Sequence, residues 1–138
     1  MTLPVTVRFV TSNREKFIEL KKCFDPAIVT LVQENIDLDE IQSASCKEVC
    51  LKKWKAAVKH LKKERHKVNN HEYVLVEDTG LKFEAWNDLP GALIKTFHHT
   101  LGDAKLAQLV MCHDNRNAKA VCCMTIDKFD CPVDVDAV

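Results

Sequence analysis

The sequence predicts a soluble α/β protein that forms one domain over residues 1–138, on three observations. The chain has 138 residues, which is the usual size of one domain and enough to bury a real core. Short runs of branched and aromatic residues are interleaved with longer runs of helical period. The composition is ordinary for a globular protein, with 46% hydrophobic and 29% charged residues, which excludes disordered and low-complexity classes.

Charge and hydropathy exclude further classes of protein. Twenty Lys and Arg residues balance twenty Asp and Glu residues, so no overall field favours nucleic acid or an anionic membrane. No apolar run is long enough to span a bilayer, and the first residues do not resemble a signal peptide. We therefore expect a cytoplasmic protein that binds neither a membrane nor a nucleic acid.

The seven cysteines are many for this length, and an odd number without a secretory signal predicts reduced thiols. A zinc site would have to join Cys46 and Cys50 with Cys112 and His113 or with Cys131. The sequence has no second CxxC-type pair, and the neighbours Cys122 and Cys123 would point to opposite faces of a strand. Buried free thiols that pack as small apolar residues are the favoured interpretation. We expect no metal to be bound through sulfur.

The chain is expected to begin with a strand, a turn and a helix. Val5–Val10 largely alternates apolar with polar residues, which predicts a strand. Ser12 with Glu15 three residues later has the form of a capping box, which predicts a helix start there, and Asp25-Pro26 is expected to end this helix. Its apolar face comprises Phe17, Leu20 and Phe24.

The next elements are a second strand over 28–32, a short extended piece over 36–38 and a long helix from Cys46 to about Leu61. The helix has one apolar side, made of Cys46, Val49, Cys50, Trp54, Ala57, Val58 and Leu61.

This long helix also carries the largest charge imbalance of the chain. Between Lys47 and Lys67 there are nine Lys or Arg residues and two Glu residues. Lys55, Lys59 and Lys62 lie opposite the apolar side, so a solvated helix face is the default interpretation and an RNA-binding surface is the alternative.

A continuous apolar run over 73–76 predicts a buried strand that ends at Glu77 and Asp78. The alternating segment over 81–85 is expected to pair with it. Further on, 89–91 predicts a turn.

The remaining sequence predicts two helices and a final strand. The first helix is expected to stop at Gly102, and Asp103 is expected to cap the second, which runs through Met111. The segment 118–126 has the pattern of a last strand.

The turn after the first strand has the geometry of a phosphate site, because the amides and the dipole at a helix N-terminus favour an anion. Thr11 and Asn13 can add side-chain donors, and Lys16 lies one turn further on. On spacing alone, a simple helix cap with a surface lysine is the favoured interpretation.

Glu77 and Asp78, where a buried strand ends, can hold a divalent cation or act as a base, because Mg²⁺ prefers oxygen ligands. A turn aspartate beside an exposed glutamate explains the same pair equally well. Glu40 offers a further carboxylate from a separate acidic segment.

Four segments in this order resemble the inosine/xanthosine triphosphate pyrophosphatases, which cleave non-canonical purine nucleoside triphosphates. The segment 9–16 (FVTSNREK) is similar to that family's opening phosphate motif, and 36–42 (IDLDEIQ) to its acidic segment. The segment 74–80 (VLVEDTG) is similar to its acidic strand motif, and 89–95 (LPGALIK) to its Leu-Pro-Gly turn and following helix. A weaker match is 120–123 (AVCC).

The resemblance implies that Thr11, Asn13 and Lys16 cradle the triphosphate. The family also has a lysine near the phosphates in the helix after its acidic segment. The register suggests Lys52 for that role, with Lys53 as the alternative.

The resemblance further implies that Glu40 and Asp78 hold Mg²⁺, and that Glu77 and Asp78 bind metal or orient the attacking water. Water would attack the triphosphate and release the monophosphate and pyrophosphate. Mg²⁺, Lys16 and helix amides would neutralise the phosphates, and Asp78 is the candidate for polarising the water.

The fold implied is a mixed, twisted α/β sheet flanked by helices, two-lobed and ITPase/Maf-like, here C-terminally shortened. Members of the family continue with a Gly-Trp-Asp-Pro run, a later lysine and a Ser-His-Arg run, which shape the base pocket. None of these occurs here, and Ser12 stands where the family often has Gly. A shortened sheet would expose an edge that self-association into a homodimer can cover.

The leading hypothesis is therefore hydrolysis of ITP, XTP and dITP to the monophosphate and pyrophosphate. The alternative is a non-catalytic relative that binds a nucleotide or a partner and has lost the base pocket.

Overall fold

The structure is a computed structural model that describes residues 3–64 and 69–130. Lys67 and Cys131, which enter the charge and cysteine arguments above, lie outside the described residues. The described part of the chain forms two compact units. The first comprises residues 3–40, 51–64, 69–77 and 124–130, and the second comprises Ile41–Cys50 and Asp78–Cys123.

The first unit is built on three parallel strands in its described residues. β1 (Val5–Val10) lies between β2 (Val29–Glu34) and the first part of β3 (Glu72–Phe83), with Phe9 opposite Leu75. The predicted first strand is confirmed. The second strand begins one residue later than predicted and runs two residues further, because it stays paired with β1 to the end of both strands.

Helix α1 (Arg14–Lys21) follows β1 after a three-residue turn. The predicted capping box of Ser12 and Glu15 is wrong: Asn13 has extended backbone angles, and its side chain accepts the amide of the third helical residue. The helix also ends at Lys21, before the Asp25-Pro26 that was expected to end it.

The apolar face of α1 packs on the parallel strands, as its period predicts. Phe17 is buried against the sheet, and Leu20 and Phe24 pack at the edge of the same cluster. The buried members of the cluster are Val7, Phe9, Phe17, Leu31 and Leu75.

A buried guanidinium links all three parallel strands. Arg8 donates from Nε and Nη2 to Glu72, at 3.1 and 3.0 Å, and from Nη1 to Glu34 at 2.7 Å. The hydrogen bond to Glu72 is the largest effect that raises the pKa of Arg8, and burial opposes it. Charged groups therefore fix β1 between its two neighbours.

Helix α2 (Cys46–Glu64) begins where the sequence predicts and runs three residues beyond the expected end at Leu61. All seven residues of its predicted apolar side are buried, which confirms that interpretation. Trp54 donates its indole N–H to the carbonyl of Val74 at 2.9 Å, so this tryptophan is a core residue. The segment 36–38 forms no strand among the described residues.

The predicted strand end at Glu77 and Asp78 is wrong, because both residues lie inside the twelve-residue β3. In the second unit, the last part of β3 pairs antiparallel with β4 (Leu89–Gly91), so 81–85 does not form a separate partner strand. The predicted Leu-Pro-Gly turn is instead this short strand, which contains a cis Leu89–Pro90 bond.

Gly80 permits this close pairing. A Cβ at Gly80 would collide with Sγ of Cys46 and lie 2.9 Å from the backbone of Gly91. Glycine at this position therefore lets Cys46 and the backbone of Gly91 approach the strand closely, and it does not form a turn.

Helix α3 (Ile94–Met111) is interrupted at Gly102, whose φ of +73° is not helical, as the predicted stop requires. The Asp103 carboxylate lies 2.7 Å from the imidazole of His98.

β5 (Ala118–Lys128) confirms the predicted last strand and pairs with β3. The predicted mixed α/β sheet with flanking helices is therefore confirmed.

The expectation of buried thiols holds for only part of the described cysteines. Cys46 and Cys50 are buried and Cys123 is half-buried, whereas Cys23, Cys112 and Cys122 are exposed. In the same described ranges, no helix has the length and apolar character that crossing a membrane requires.

Candidate active site

The turn between β1 and α1 is shaped by its own side chains. The amide of Thr11 donates to the carbonyl of Glu34 at 3.0 Å, which continues the strand pairing by one residue. Oγ1 of Thr11 accepts the amide of Asn13, and Oδ1 of Asn13 accepts the amide of Lys16, each at 3.1 Å. Both side chains thus organise the backbone of the turn, and the first helical amides have no acceptor within the helix itself.

A glutamine on β2 holds the same turn from outside, and the sequence analysis missed it. Nε2 of Gln33 donates to the carbonyl of Thr11 at 3.1 Å, while its Oε1 accepts from the guanidinium of Arg14 at 3.0 Å. Arg14 in turn lies over the ring of Phe17, 5.1 Å from its centroid. No motif marks Gln33; only the register that sets it opposite Phe9 reveals its role.

Lys16 and Glu77 meet although they come from separate motifs. The ammonium of Lys16 lies 2.5 Å from Oε1 of Glu77, whose side chain is 10% exposed. The register explains this contact: Phe9 pairs with Leu75, so Glu77 comes level with the turn that follows β1. The sequence predicted both residues for one site, and the structure brings their charged groups together.

Lys53 joins the second predicted acidic segment to the same strand. Its ammonium lies 3.0 Å from Oε1 of Glu40 and 3.5 Å from the carbonyl oxygen of Glu77. Of the two lysines that the register left open, Lys53 is the one that makes these contacts. Lys52 is half-buried on α2, and its phosphate contact stays a prediction.

Asp78 belongs to the second unit, where it interacts with Cys46. Burial raises the pKa of the Cys46 thiol most, and the Asp78 carboxylate raises it further, to about 11. Cys46 therefore stays protonated at neutral pH and can donate to the carboxylate. Glu77 and Asp78 are successive residues inside an extended strand rather than a pair at its end: Glu77 contacts Lys16, and Asp78 acts on Cys46.

The oxygen donors fit the way in which proteins bind Mg²⁺ at nucleotide sites. Within residues 3–64 and 69–130, no three His, Cys, Asp or Glu side chains gather into a metal cage. Mg²⁺ usually takes one or two carboxylates and completes its shell with water and substrate phosphates. Glu40, whose carboxylate contacts Lys53, and Glu77, whose carboxylate contacts Lys16, supply such hard oxygen donors.

Comparison with known proteins assigns the family. The model of the Ham1 family matches residues 7–133, which is nearly the whole chain. The chain belongs to the Ham1 family. This confirms the relationship inferred from the four sequence motifs.

Two relatives of this Ham1-family chain are named inosine triphosphate pyrophosphatase. The protein of Kluyveromyces lactis is 37% identical over 115 residues, which cover 82% of this chain and 56% of the relative. The protein of Phaeosphaeria nodorum is 39% identical over 119 residues, which cover 86% and 57%. The chain thus spans little more than half of the length of these curated relatives.

Solved structures show the same fold. A nucleoside-triphosphatase, described as a dITP/XTP pyrophosphatase, from Mycobacterium abscessus has a TM-score of 0.67 at 22% identity, covering 90% of this chain and 66% of its own. A HAM1 protein from Coxiella burnetii also has a TM-score of 0.67, at 15% identity, covering 90% and 64%. At these identities the likeness establishes the Ham1-type fold alone.

Proposed function

We propose that the chain forms one ITPase-like domain that hydrolyses ITP, XTP and dITP to the nucleoside monophosphate and pyrophosphate. The observation that carries the proposal is the convergence of Lys16 with Glu77, together with that of Lys53 with Glu40. Two cations and two hard anions, delivered by separate motifs, are what a site for a triphosphate and a divalent cation requires. The names of the relatives support the same substrate class.

The phosphates would bind at the turn after β1. The amides that begin α1 and the ammonium of Lys16 supply positive potential there, and Lys53 supplies a second ammonium. Thr11 and Asn13 act first by fixing the backbone of the turn, so that its amides point to one place. Lys52 is proposed as a further phosphate contact from the same helix.

Mg²⁺ is the proposed metal ion, held by Glu40, Glu77 and Asp78. When bound, it would neutralise charge on the phosphates and polarise the phosphoryl group. Asp78 is proposed to take the proton from the attacking water, and Glu77 to orient it. The Cys46 thiol, whose pKa is raised by burial and then by Asp78, is proposed to donate to the Asp78 carboxylate.

We also propose that the chain forms a homodimer in the cytoplasm. Met124 and Ile126, on the part of β5 that belongs to the first unit, are 55% and 51% exposed, and a second copy could cover them. Light scattering of the purified chain tests this proposal, since a monomer at all concentrations would contradict it.

The activity is tested by measuring pyrophosphate release with Mg²⁺ from ITP and from ATP. We expect faster release from ITP, and loss of release in Asp78→Asn. Asp103→Asn, which changes a carboxylate that is 91% exposed, is the matched control and should keep the wild-type rate. Nucleotide binding without release would instead support the non-catalytic alternative.

The RNA-binding alternative for α2 is disfavoured by Trp54, because this side chain is buried and cannot stack on a base.

A further inference from the structure

We propose that Lys16 and Lys53 couple metal binding to triphosphate binding, so that neither ligand binds well without the other; this inference rests on the proposed function. The two lysines and the carboxylates of Glu77 and Glu40 are called here the paired-charge group. Each ammonium in it occupies a carboxylate that would otherwise be available to a cation, at 2.5 Å for Lys16 and 3.0 Å for Lys53.

The two ion pairs are partly shielded from water, which strengthens the interactions between their charges. The side chains of Glu77 and Lys53 are 10% and 18% exposed, and that of Lys16 is 35% exposed. Charges in such positions are screened less than those on the open surface. With two ammonium groups and two carboxylates, the paired-charge group is electrically neutral as it stands.

A ligand that arrives alone disturbs this neutrality. A divalent cation that takes the carboxylates leaves two ammonium groups beside it, and a phosphate chain that takes the ammonium groups leaves two carboxylates beside it. With both ligands present, each ammonium would pair with a phosphate oxygen and each carboxylate with the cation. The free energy needed to separate the ion pairs is then required once for the binding of two ligands. Each ligand therefore tightens the binding of the other, which is positive coupling.

This coupling has a consequence that a simple metal site would not show. If a lysine is replaced by a neutral side chain, its carboxylate loses its competitor and should bind a cation more tightly, although the phosphate site is weakened. Coupling is reciprocal, so the same substitution should weaken two effects: that of phosphate on cation affinity, and that of the cation on phosphate affinity. Both effects should fall by the same factor.

The experiment titrates Mn²⁺ into the full chain, followed by electron paramagnetic resonance, with and without inorganic tripolyphosphate. For wild type, tripolyphosphate should tighten Mn²⁺ binding beyond the Mn²⁺ that it chelates in the same titration without protein. In Lys16→Met and Lys53→Met, Mn²⁺ alone should bind about 5-fold more tightly or better, and the tightening by tripolyphosphate should fall by a similar factor. Lys59→Met, at an exposed position of the same helix, is the control and should match wild type.

Lys16→Arg keeps the charge and should keep the weak binding of Mn²⁺ alone, which provides a folded comparison if Lys16→Met is unstable. Unchanged or weaker binding of Mn²⁺ alone in Lys53→Met overturns the coupling, as does equal Mn²⁺ affinity of wild type with and without tripolyphosphate. Pyrophosphate release from ITP, measured on the same wild-type preparation, reports separately on the proposed function.

Discussion

The ammonium nitrogen of Lys16 lies 2.5 Å from a carboxylate oxygen of Glu77, although the two residues are 61 positions apart in the chain. The contact follows from the parallel pairing of β1 with β3, which extends β3 past the end of β1 and into reach of the first turn of α1. The turn that follows β1 and the acidic strand thereby lie in contact.

Replacing Lys16 by Met should lower kcat/KM for ITP about 100-fold or more, because a preorganised positive charge on the phosphates is lost. Steady-state pyrophosphate release measures the effect. Lys21→Met, at the exposed end of the same helix, should keep the wild-type value. A Lys16→Met enzyme with wild-type kcat/KM would remove Lys16 from the phosphate site.

Gln33 should position the phosphate turn without touching substrate. In Gln33→Glu the contact with Arg14 can remain, but the donor to the Thr11 carbonyl is lost, so the turn loses about 1 kcal/mol of support. We expect KM for ITP to rise more than kcat falls. Gln108→Ala, an exposed change on α3, should alter neither, and an unchanged KM in Gln33→Glu would show that the turn holds its shape without the glutamine.

The roles of Gln33 and Lys53 show where the sequence stops being informative. β1 and α2 could be predicted because their apolar periods are strong and their packing partners follow the same faces. The long β3 could not, because Thr79 and Gly80 are typical of a turn, and only the contact with Cys46 and β4 explains a glycine inside a strand. Likewise, the contacts of Lys53 with Glu40 and with the Glu77 carbonyl depend on the position of an ammonium group, which helical period alone does not fix.

The buried Arg8 should be essential for the stability of the first unit. Arg8→Met leaves the carboxylates of Glu34 and Glu72 without their shared guanidinium, and breaking such a buried group typically costs about 3–5 kcal/mol. Urea unfolding measures the loss. Arg8→Met combined with Glu72→Gln should be less destabilised than the sum of the two single changes, and simple additivity would argue against direct coupling.

Stability should fall in alkaline solution because of Cys46. Burial and then Asp78 raise the pKa of this thiol from 9.0 to about 11, so the folded chain keeps a proton that the unfolded chain releases. The contribution is full below pH 9 and is lost as the pH rises toward about 11, with a slope of up to about 1.4 kcal/mol per pH unit.

Urea midpoints in metal-free buffer at about pH 8 and about pH 11 measure this loss. Cys46→Ala should lose less stability over the interval than wild type does. Cys23→Ala, which removes an exposed thiol, should behave as wild type. Equal losses in all three proteins would contradict the assignment to Cys46.

The most direct test of the proposed site is phosphorus NMR of ITP incubated with the chain and Mg²⁺. If the turn after β1 and the carboxylates of Glu40, Glu77 and Asp78 direct water as proposed, IMP and pyrophosphate should appear together in equal amounts. Appearance of IDP and orthophosphate, or intact ITP after prolonged incubation with folded protein, would contradict the account.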